Sequence, residues 1–507
     1  MSLLAKAAAA AVVIGLVLWA ALVRWRFLAA SPYPLGIDGY FYPIQLRSLL
    51  EHGTLYYPSS PLAIYLMAPL AALTDPITGA KLGAALGTAA IAIPMYLVGK
   101  RVSGDRAAGL MAAVLAVTSA ESFYLTVEFV KNGFGLTALV AYLAVLGWAL
   151  EAPSRRRWAA VGVALLAALL THKMAATLAV VFTLPVAIVV ARERGWRLHW
   201  SDRKVRGAAA GAAAAVAIAV AIGIAAPDRF VGAKDLALFG ALFRADHDLT
   251  IPVLDIGRGR PLRFGHEAAI AGVLGLAVLA WILVRRLRGG DASSVPARDR
   301  ALVIGPALLA AALAIPWLDI SDPQGLPFRA RLVAFVPLAI CAAYLATALA
   351  ARVSASTRAA LLIGFAAGWI VSRPPTSTEG MVEPEAHMVA AMRAARDLVP
   401  PDHRVICPQR NLMFMYTWYT DRAARLRPEP VEPARRWRLL PSRLIHPLLI
   451  KAIDHLRAHP VDGIPPPRGL HPRHENGVIL FRETTWAHLM TQVPPKVREI
   501  YLRWKTI

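Results

Sequence analysis

The chain has 507 residues, of which 57% are hydrophobic and 17% charged, against about 25% charged in an average soluble domain. Its mean hydropathy of +0.51 and its recurrent apolar runs exclude an ordinary water-soluble globule, whose core could not absorb so many stretches of membrane-spanning length. A net charge of +23 would point to nucleic acid in a soluble protein, but here the basic residues sit in short loops such as Arg155-Arg156-Arg157 and Arg285-Arg286. That placement is a topology signal and an attraction for anionic lipid, and with no RNA- or DNA-binding motif present a nucleic-acid partner is excluded.

The first apolar run, residues 7–23 after Lys6, is longer than a signal-peptide core of about 7–15 residues and is expected to be a retained span. A polar, aromatic loop follows over 24–60, then a short apolar stretch at 61–74 interrupted by Pro69. With about twenty residues needed to cross, 61–74 is expected to lie at the interface. Further spans are expected near 79–98, 107–121, 132–150, 157–172, 174–191, 207–226, 267–284, 300–317, 331–351 and 358–372, for a total of roughly eleven transmembrane helices.

Lys/Arg density places the short loops 99–106, 151–156, 192–206, 285–299 and 352–357 on the cytoplasmic side, with the N-terminus. Loops 24–60, 122–131, 171–173, 227–266 and 318–330 then fall outside, and so does the tail. The expected organisation is an all-α polytopic membrane domain, residues 1–372 with a first outer region over 24–78, followed by a small α/β domain over 373–507. In that tail, 385–398 has helical periodicity, and 404–407 and 478–481 read as short buried strands. Cys341 lies in an apolar run and Cys407 in the tail, which argues against a disulfide framework or a cysteine metal site.

The polar residues at the outer ends of the spans carry the chemistry. Gly36-Ile37-Asp38-Gly39-Tyr40-Phe41-Tyr42-Pro43 puts an acid on a flexible turn, either a general base with Tyr40 and Tyr42 lining a sugar or a plain turn acid. Glu121 and Glu128 share a helix face, as do Glu128, Lys131 and Asn132. They are either a second carboxylate and an ammonium lining one cavity, or an intrahelical ion pair. Thr171-His172-Lys173 interrupts more than thirty apolar residues, as a snorkelling hairpin tip or as a phosphate-binding pair. Arg329 and Arg331 open a span from the outside, against the orientation rule, and serve either a phosphate clamp or a network with Asp319 and Asp322. Arg244-Ala245-Asp246-His247-Asp248 is read as solvated loop, its spacing being too close for an ordinary metal site.

This arrangement resembles the GT-C superfamily of polyprenyl-phosphate-dependent glycosyltransferases. The resemblance rests on one span followed by an outer loop with the acid of Gly-Ile-Asp-Gly-Tyr-Phe-Tyr-Pro, an interfacial helix at 61–74, a second outer acid at Glu128, many further spans and a soluble tail. It implies a lipid-linked sugar donor in the inner membrane, an inverting transfer on the extracytoplasmic face, and Asp38 as base or acceptor-positioning acid. Lys131, His172, Lys173, Arg329 and Arg331 would then hold phosphate, with Glu128 orienting the acceptor or Lys131. Transfer without a cofactor and transfer helped by a divalent metal are both compatible with this reading, and the sequence fixes no oligomeric state. The rival readings are a transporter or lipid flippase, disfavoured because the mid-span positions are nearly free of charge, and a non-catalytic envelope scaffold.

Overall fold

The computed structural model of the chain describes residues 3–193, 206, 266–288, 296–315, 318, 326–349, 353–371, 386–407, 409–425, 436–441, 445–465, 467–469 and 478–503. The expected span 207–226, the loop after it with His247, and Asp319 and Asp322 lie outside the described residues. The described chain divides into two compact units, one of residues 1–27, 57–67 and 82–377, the other of 28–56, 68–81 and 378–507.

The first unit is helical. Helix α1 (Leu3–Ala29) is followed in sequence by α2 (Phe41–His52), which belongs to the second unit, and by α3 (Leu62–Leu73) and α4 (Pro76–Ala89), which contribute to both. Then come α5 (Ala92–Ser103), α6 (Arg106–Thr118), α7 (Ala120–Val127), α8 (Val130–Glu151), α9 (Arg155–Thr171) and α10 (Lys173–Glu193). After the undescribed stretch follow α11 (His266–Leu287), α12 (Ala297–Ala312), α13 (Leu326–Leu332), α14 (Phe335–Leu349) and α15 (Ala355–Val371).

Among the described residues, five helices are long and apolar enough to cross a membrane, or up to seven if each bent pair counts as one span. The chain is a polytopic membrane protein. Several sequence expectations are refined. The run expected at 79–98 is a span of Pro76–Ser103, and the one expected at 107–121 is a bent pair, Arg106–Thr118 with Ala120–Val127. Span one reaches Ala29, and the presumed loop 24–60 contains helix α2. Helix α3, 12 residues long, is too short to cross, as the interfacial reading requires.

Small residues set the packing, as they must where lipid is as apolar as leucine and only close contact favours association. A Cβ at Gly99 would lie 2.7 Å from the Ala112 Cβ, and one at Gly109 2.7 Å from the Tyr96 carbonyl. Helices α5 and α6 therefore touch backbone to backbone. Their link is tight: Gly104 (φ 73°) caps α5 in the left-handed region, and the Asp105 carboxylate accepts from the Ala107 and Ala108 amides to start α6. Ala112, Ala116, Leu136, Leu143, Ala339 and Ile340 are fully buried, whereas Leu18, Val163, Leu184 and Leu361 are exposed. Apolar side chains on both faces are what a lipid environment demands.

The second unit holds a five-stranded sheet of β1 (Arg404–Ile406), β2 (Ala424–Arg425), β3 (Arg436–Pro441), β4 (Arg468–Gly469) and β5 (Val478–Arg482) in the order β2-β1-β3-β5-β4. Strand β1 is parallel to β2 and β3, and β5 is antiparallel to β3 and β4. The helices are α16 (Ala386–Leu398), α17 (Arg410–Thr420), α18 (Pro447–Ala458), α19 (Glu483–Gln492) and α20 (Pro495–Arg503). Leu449, Ile453, Ile479, Phe481, Trp486 and Leu489 form its apolar centre. The expected helix 385–398 and strands 404–407 and 478–481 are present within a residue or so. Strand β3 was not anticipated; it ends in Pro441 and pairs Leu439 with Leu480.

Candidate functional site

The central feature of the first unit is the break between α6 and α7, bent by 46° at Ser119, whose backbone is extended at ψ 136°. A break frees carbonyls on one side and amides on the other, and each needs a partner where there is no water. On the α7 side the Ser119 hydroxyl oxygen accepts from the Ser122 amide at 3.1 Å. The Glu267 carboxylate, at the start of α11, accepts from the Ala120 amide at 2.8 Å and from the Ser119 hydroxyl. A carboxylate at a helix N-terminus also opposes the positive end of the dipole.

On the α6 side Arg24 of α1 donates to the Val117 carbonyl at 2.9 Å. Its guanidinium also donates to the Ser122 hydroxyl at 3.0 Å, the Thr126 hydroxyl at 3.1 Å and the Ala20 carbonyl at 3.3 Å. The Thr126 hydroxyl pairs in turn with that of Thr88 at 2.9 Å. Arg24 is only 1% exposed and its partners here are all neutral oxygens, so the rigid fork of donors holds α1 and both halves of the broken helix. Nothing in the sequence marked Arg24, Ser119 or Glu267 as a set. The usable signal was a serine that could cap α7 and an arginine just past an apolar run.

Helix α7 presents the two acids. Glu121 and Glu128 are both buried. Glu128 ends α7, its amide donating to the Tyr124 carbonyl at 2.9 Å. Phe129 then turns the chain (φ −132°, ψ 56°) into α8. The Tyr124 phenol lies within electrostatic range of Glu128, Arg331, Glu121 and Arg329. The Arg331 Nε is 3.6 Å from Glu121 Oε1, and the Arg329 guanidinium lies 4.9 Å from the centre of the Phe129 ring. The α7 acids and the two arginines of α13, far apart in sequence, therefore meet.

At the start of α8 the Lys131 ammonium donates to the Ser59 hydroxyl at 2.7 Å, and Asn132 is buried. His172 is the single non-helical residue between α9 and α10, with extended backbone (φ −161°, ψ 127°). A Cβ at Gly135 would lie 2.9 Å from the His172 Cβ. Glycine at 135 thus lets the hairpin link rest on α8, one helical turn from Lys131 and Asn132. The His172 Nδ1 accepts from the Met174 amide at 3.2 Å, so the neutral imidazole carries its proton on Nε2. Lys173, exposed, opens α10.

Asp38 belongs to the second unit. It stands in a turn closed by the Gly39 amide donating to the Gly36 carbonyl at 3.2 Å, and its own carbonyl accepts from Phe41 at 3.0 Å. Gly36 sits at φ 88°. At Gly39 a Cβ would lie 2.5 Å from the Leu35 carbonyl oxygen, so only glycine fits. Tyr40 and Tyr42 are buried, and most of each ring serves packing. The Tyr40 hydroxyl pairs with that of Tyr419 at 2.7 Å. Burial, reinforced by that hydrogen bond, pushes the Tyr40 phenol well above its ordinary range. Helix α2 rests on α17 of the tail: Phe41 stacks edge-on against Phe414 at 5.4 Å, and Arg47 lies 4.5 Å over Trp418 and 2.9 Å from Asp421. The aromatics after Asp38 thereby fasten its turn to the tail.

Among the described residues no three His, Cys, Asp or Glu side chains gather as a metal-binding group. No family model matches the chain, and comparison with curated proteins gives no match. Among solved structures the chain is similar to "Crystal Structure of ArnT from Cupriavidus metallidurans bound to Undecaprenyl phosphate", with a TM-score of 0.54 and 12% sequence identity, covering 92% of this chain and 97% of that one. At that identity the likeness shows the fold alone, a polytopic helical membrane fold of the kind expected from the sequence.

Proposed function

We propose that the chain is a membrane glycosyltransferase that moves a sugar from a polyprenyl-phosphate-linked donor to a lipid, glycan or protein acceptor of the cell envelope. The observation that carries this reading is the meeting of Glu121, Glu128, Arg329 and Arg331 around Tyr124, with Lys131, Asn132 and His172 grouped at the start of α8. Ionisable groups gathered at the end of a set of spans are costly and mark a working site. The fold likeness supports the same lipid class, since that ArnT structure holds undecaprenyl phosphate.

In the proposed reaction the Asp38 carboxylate takes the proton of the acceptor hydroxyl. The hydroxyl oxygen bonds to the anomeric carbon from the face opposite the phosphate, the sugar–phosphate C–O bond breaks, and its electron pair leaves on the phosphate. Arg329 and Lys131 neutralise that phosphate and the His172 Nε2–H donates to it, with Lys173 at the same hairpin link. Arg331 is partly committed to Glu121, so its share is positional. Glu128 orients the acceptor or Lys131. The chemistry is assigned to the extracytoplasmic face of the inner membrane, from the Lys/Arg bias of the loops.

The test is to reconstitute the chain in liposomes with a panel of radiolabelled prenyl-phosphate sugars and membrane acceptors. Wild type is expected to transfer label from at least one donor, and Asp38→Asn to lose it by about 10²-fold or more, as removal of a general base does. A correctly folded Asp38→Asn with undiminished transfer rejects the base assignment. Absence of transfer from every donor rejects the function.

A further inference from the structure

We infer that the first unit binds an anionic phospholipid in a groove between α1, α5 and the start of α6, with Lys100 and Arg106 on the headgroup phosphate. The groove has a volume of about 390 Å³ and is lined by Val13, Ile14, Ile93, Leu97, Lys100 and Arg106 among others. Its apolar part is open: Ile14 is 53% and Leu97 48% exposed. An apolar trough ended by two cations matches an acyl chain carrying a phosphate.

The neighbouring charges explain why this end stays positive. Arg101, next in sequence to Lys100, turns away to Glu151 at 2.9 Å and Asp299 at 3.6 Å. Asp105, next to Arg106, spends its carboxylate on the Ala107 amide at 2.7 Å and on Arg358 at 2.8 Å. Thus Glu151, Asp299 and Asp105 each engage a residue outside the groove lining or a backbone amide, while Lys100 is exposed and lines the groove.

This groove is remote from Lys131 and Asn132. Helix α8 has 22 residues, about 33 Å at 1.5 Å per residue. Its last residue, Glu151, is bound to Arg101 beside the groove, while Lys131 and Asn132 stand at its other end. The distance is that of a hydrocarbon core, so the groove serves the opposite leaflet and does not depend on the transferase reading. A lipid held there would brace α1, whose span, with that of α10, is the least covered by protein of the five candidate spans among the described residues.

Native mass spectrometry of the full chain, released from nanodiscs of phosphatidylglycerol or of phosphatidylcholine, tests the inference. Wild type is expected to retain phosphatidylglycerol in preference, and Lys100→Gln/Arg106→Gln to weaken that retention roughly tenfold or more, at about 1 kcal/mol per surface cation. Leu97→Trp, which fills the apolar trough and leaves the cations, is expected to lower retention as well. Arg155→Gln/Arg156→Gln, in a second basic cluster outside the lining of this groove, is expected to change nothing. Equal retention of the two lipids by wild type, or undiminished phosphatidylglycerol retention in both groove variants, overturns the site. A folding defect in the double variant leaves the exposed Leu97→Trp to decide.

Discussion

Replacing Arg24 tests the physics of the α6–α7 break, and the conservative change should do more harm than the radical one. Arg24→Met keeps the aliphatic stem and removes the charge. The Val117 carbonyl then loses its donor, at a cost of about 1–3 kcal/mol. The Thr126 hydroxyl has alternatives: it already donates to the Ser122 carbonyl at 3.1 Å and pairs with Thr88 at 2.9 Å. Removing a guanidinium from a buried place also relieves its desolvation, so the net loss for methionine should be about 2 kcal/mol. Arg24→Lys keeps a buried charge but cannot spread one ammonium over the Val117, Ser122, Thr126 and Ala20 oxygens. Leaving a buried charge under-partnered costs about 3–5 kcal/mol. The assay is unfolding of purified chain in mixed micelles with increasing sodium dodecyl sulfate, followed by far-ultraviolet circular dichroism. A lysine variant as stable as the methionine variant, or both within about 0.5 kcal/mol of wild type, would refute the claim that the fork holds the break together.

Other outcomes follow from the same geometry. Gly39→Ala should distort the Asp38 turn, because its Cβ would sit 2.5 Å from the Leu35 carbonyl oxygen; transfer should fall at least tenfold while the helical content by circular dichroism stays at wild type, and equal activity would count against the turn. Tyr419→Phe should cost about 1 kcal/mol through the lost hydroxyl pair with Tyr40, read as a lower midpoint in the same micelle titration. Burial pushes the Cys407 thiol well above its ordinary range, and a raised acid contributes stability below its unfolded pKa that is lost as pH rises past it. The tail should accordingly loosen above about pH 8.5, and Cys407 should resist iodoacetamide at pH 7 until denaturant is added. Asp75 goes the other way. Burial alone would raise it, but the Thr78 and Ile77 hydrogen bonds and Lys81 lower it overall. Its contribution is present above the unfolded pKa and is lost in acid, so Asp75→Asn should flatten the acid limb of a stability–pH curve.

The spans were legible because the bilayer demands long apolar runs, and a run is a local property of the chain. The short 61–74 segment and the one-residue hairpin link at His172 were legible for the same reason: length and interruption are both visible in sequence. Helix α2 was not. Phe41-Tyr42-Pro43 reads as a turn, yet a proline in the first turn of a helix loses no hydrogen bond, and the aromatics find Phe414 and Trp418 some 370 positions later. The break at Ser119 was equally hidden, having neither proline nor glycine to announce it. It exists because Glu267 and Arg24, 148 residues ahead of Ser119 and 93 residues before Val117, supply the partners that a broken helix needs. The acids and arginines of the candidate site were named individually from their misfit with apolar surroundings. Their meeting around Tyr124 was a matter of packing that no local pattern records.

The claim that a lipid-borne phosphate docks on the Arg329, Lys131 and His172 group is tested most directly by binding. Undecaprenyl phosphate and undecaprenol differ only in the phosphate, so their affinities for the purified chain isolate that group. We expect the phosphate form to bind at least tenfold tighter to wild type, with most of that margin lost in Arg329→Gln/Lys131→Gln, since a charge-assisted hydrogen bond contributes about 1.5–3 kcal/mol. Equal affinities for the two lipids in wild type, or a margin unchanged in the double variant, would contradict the account.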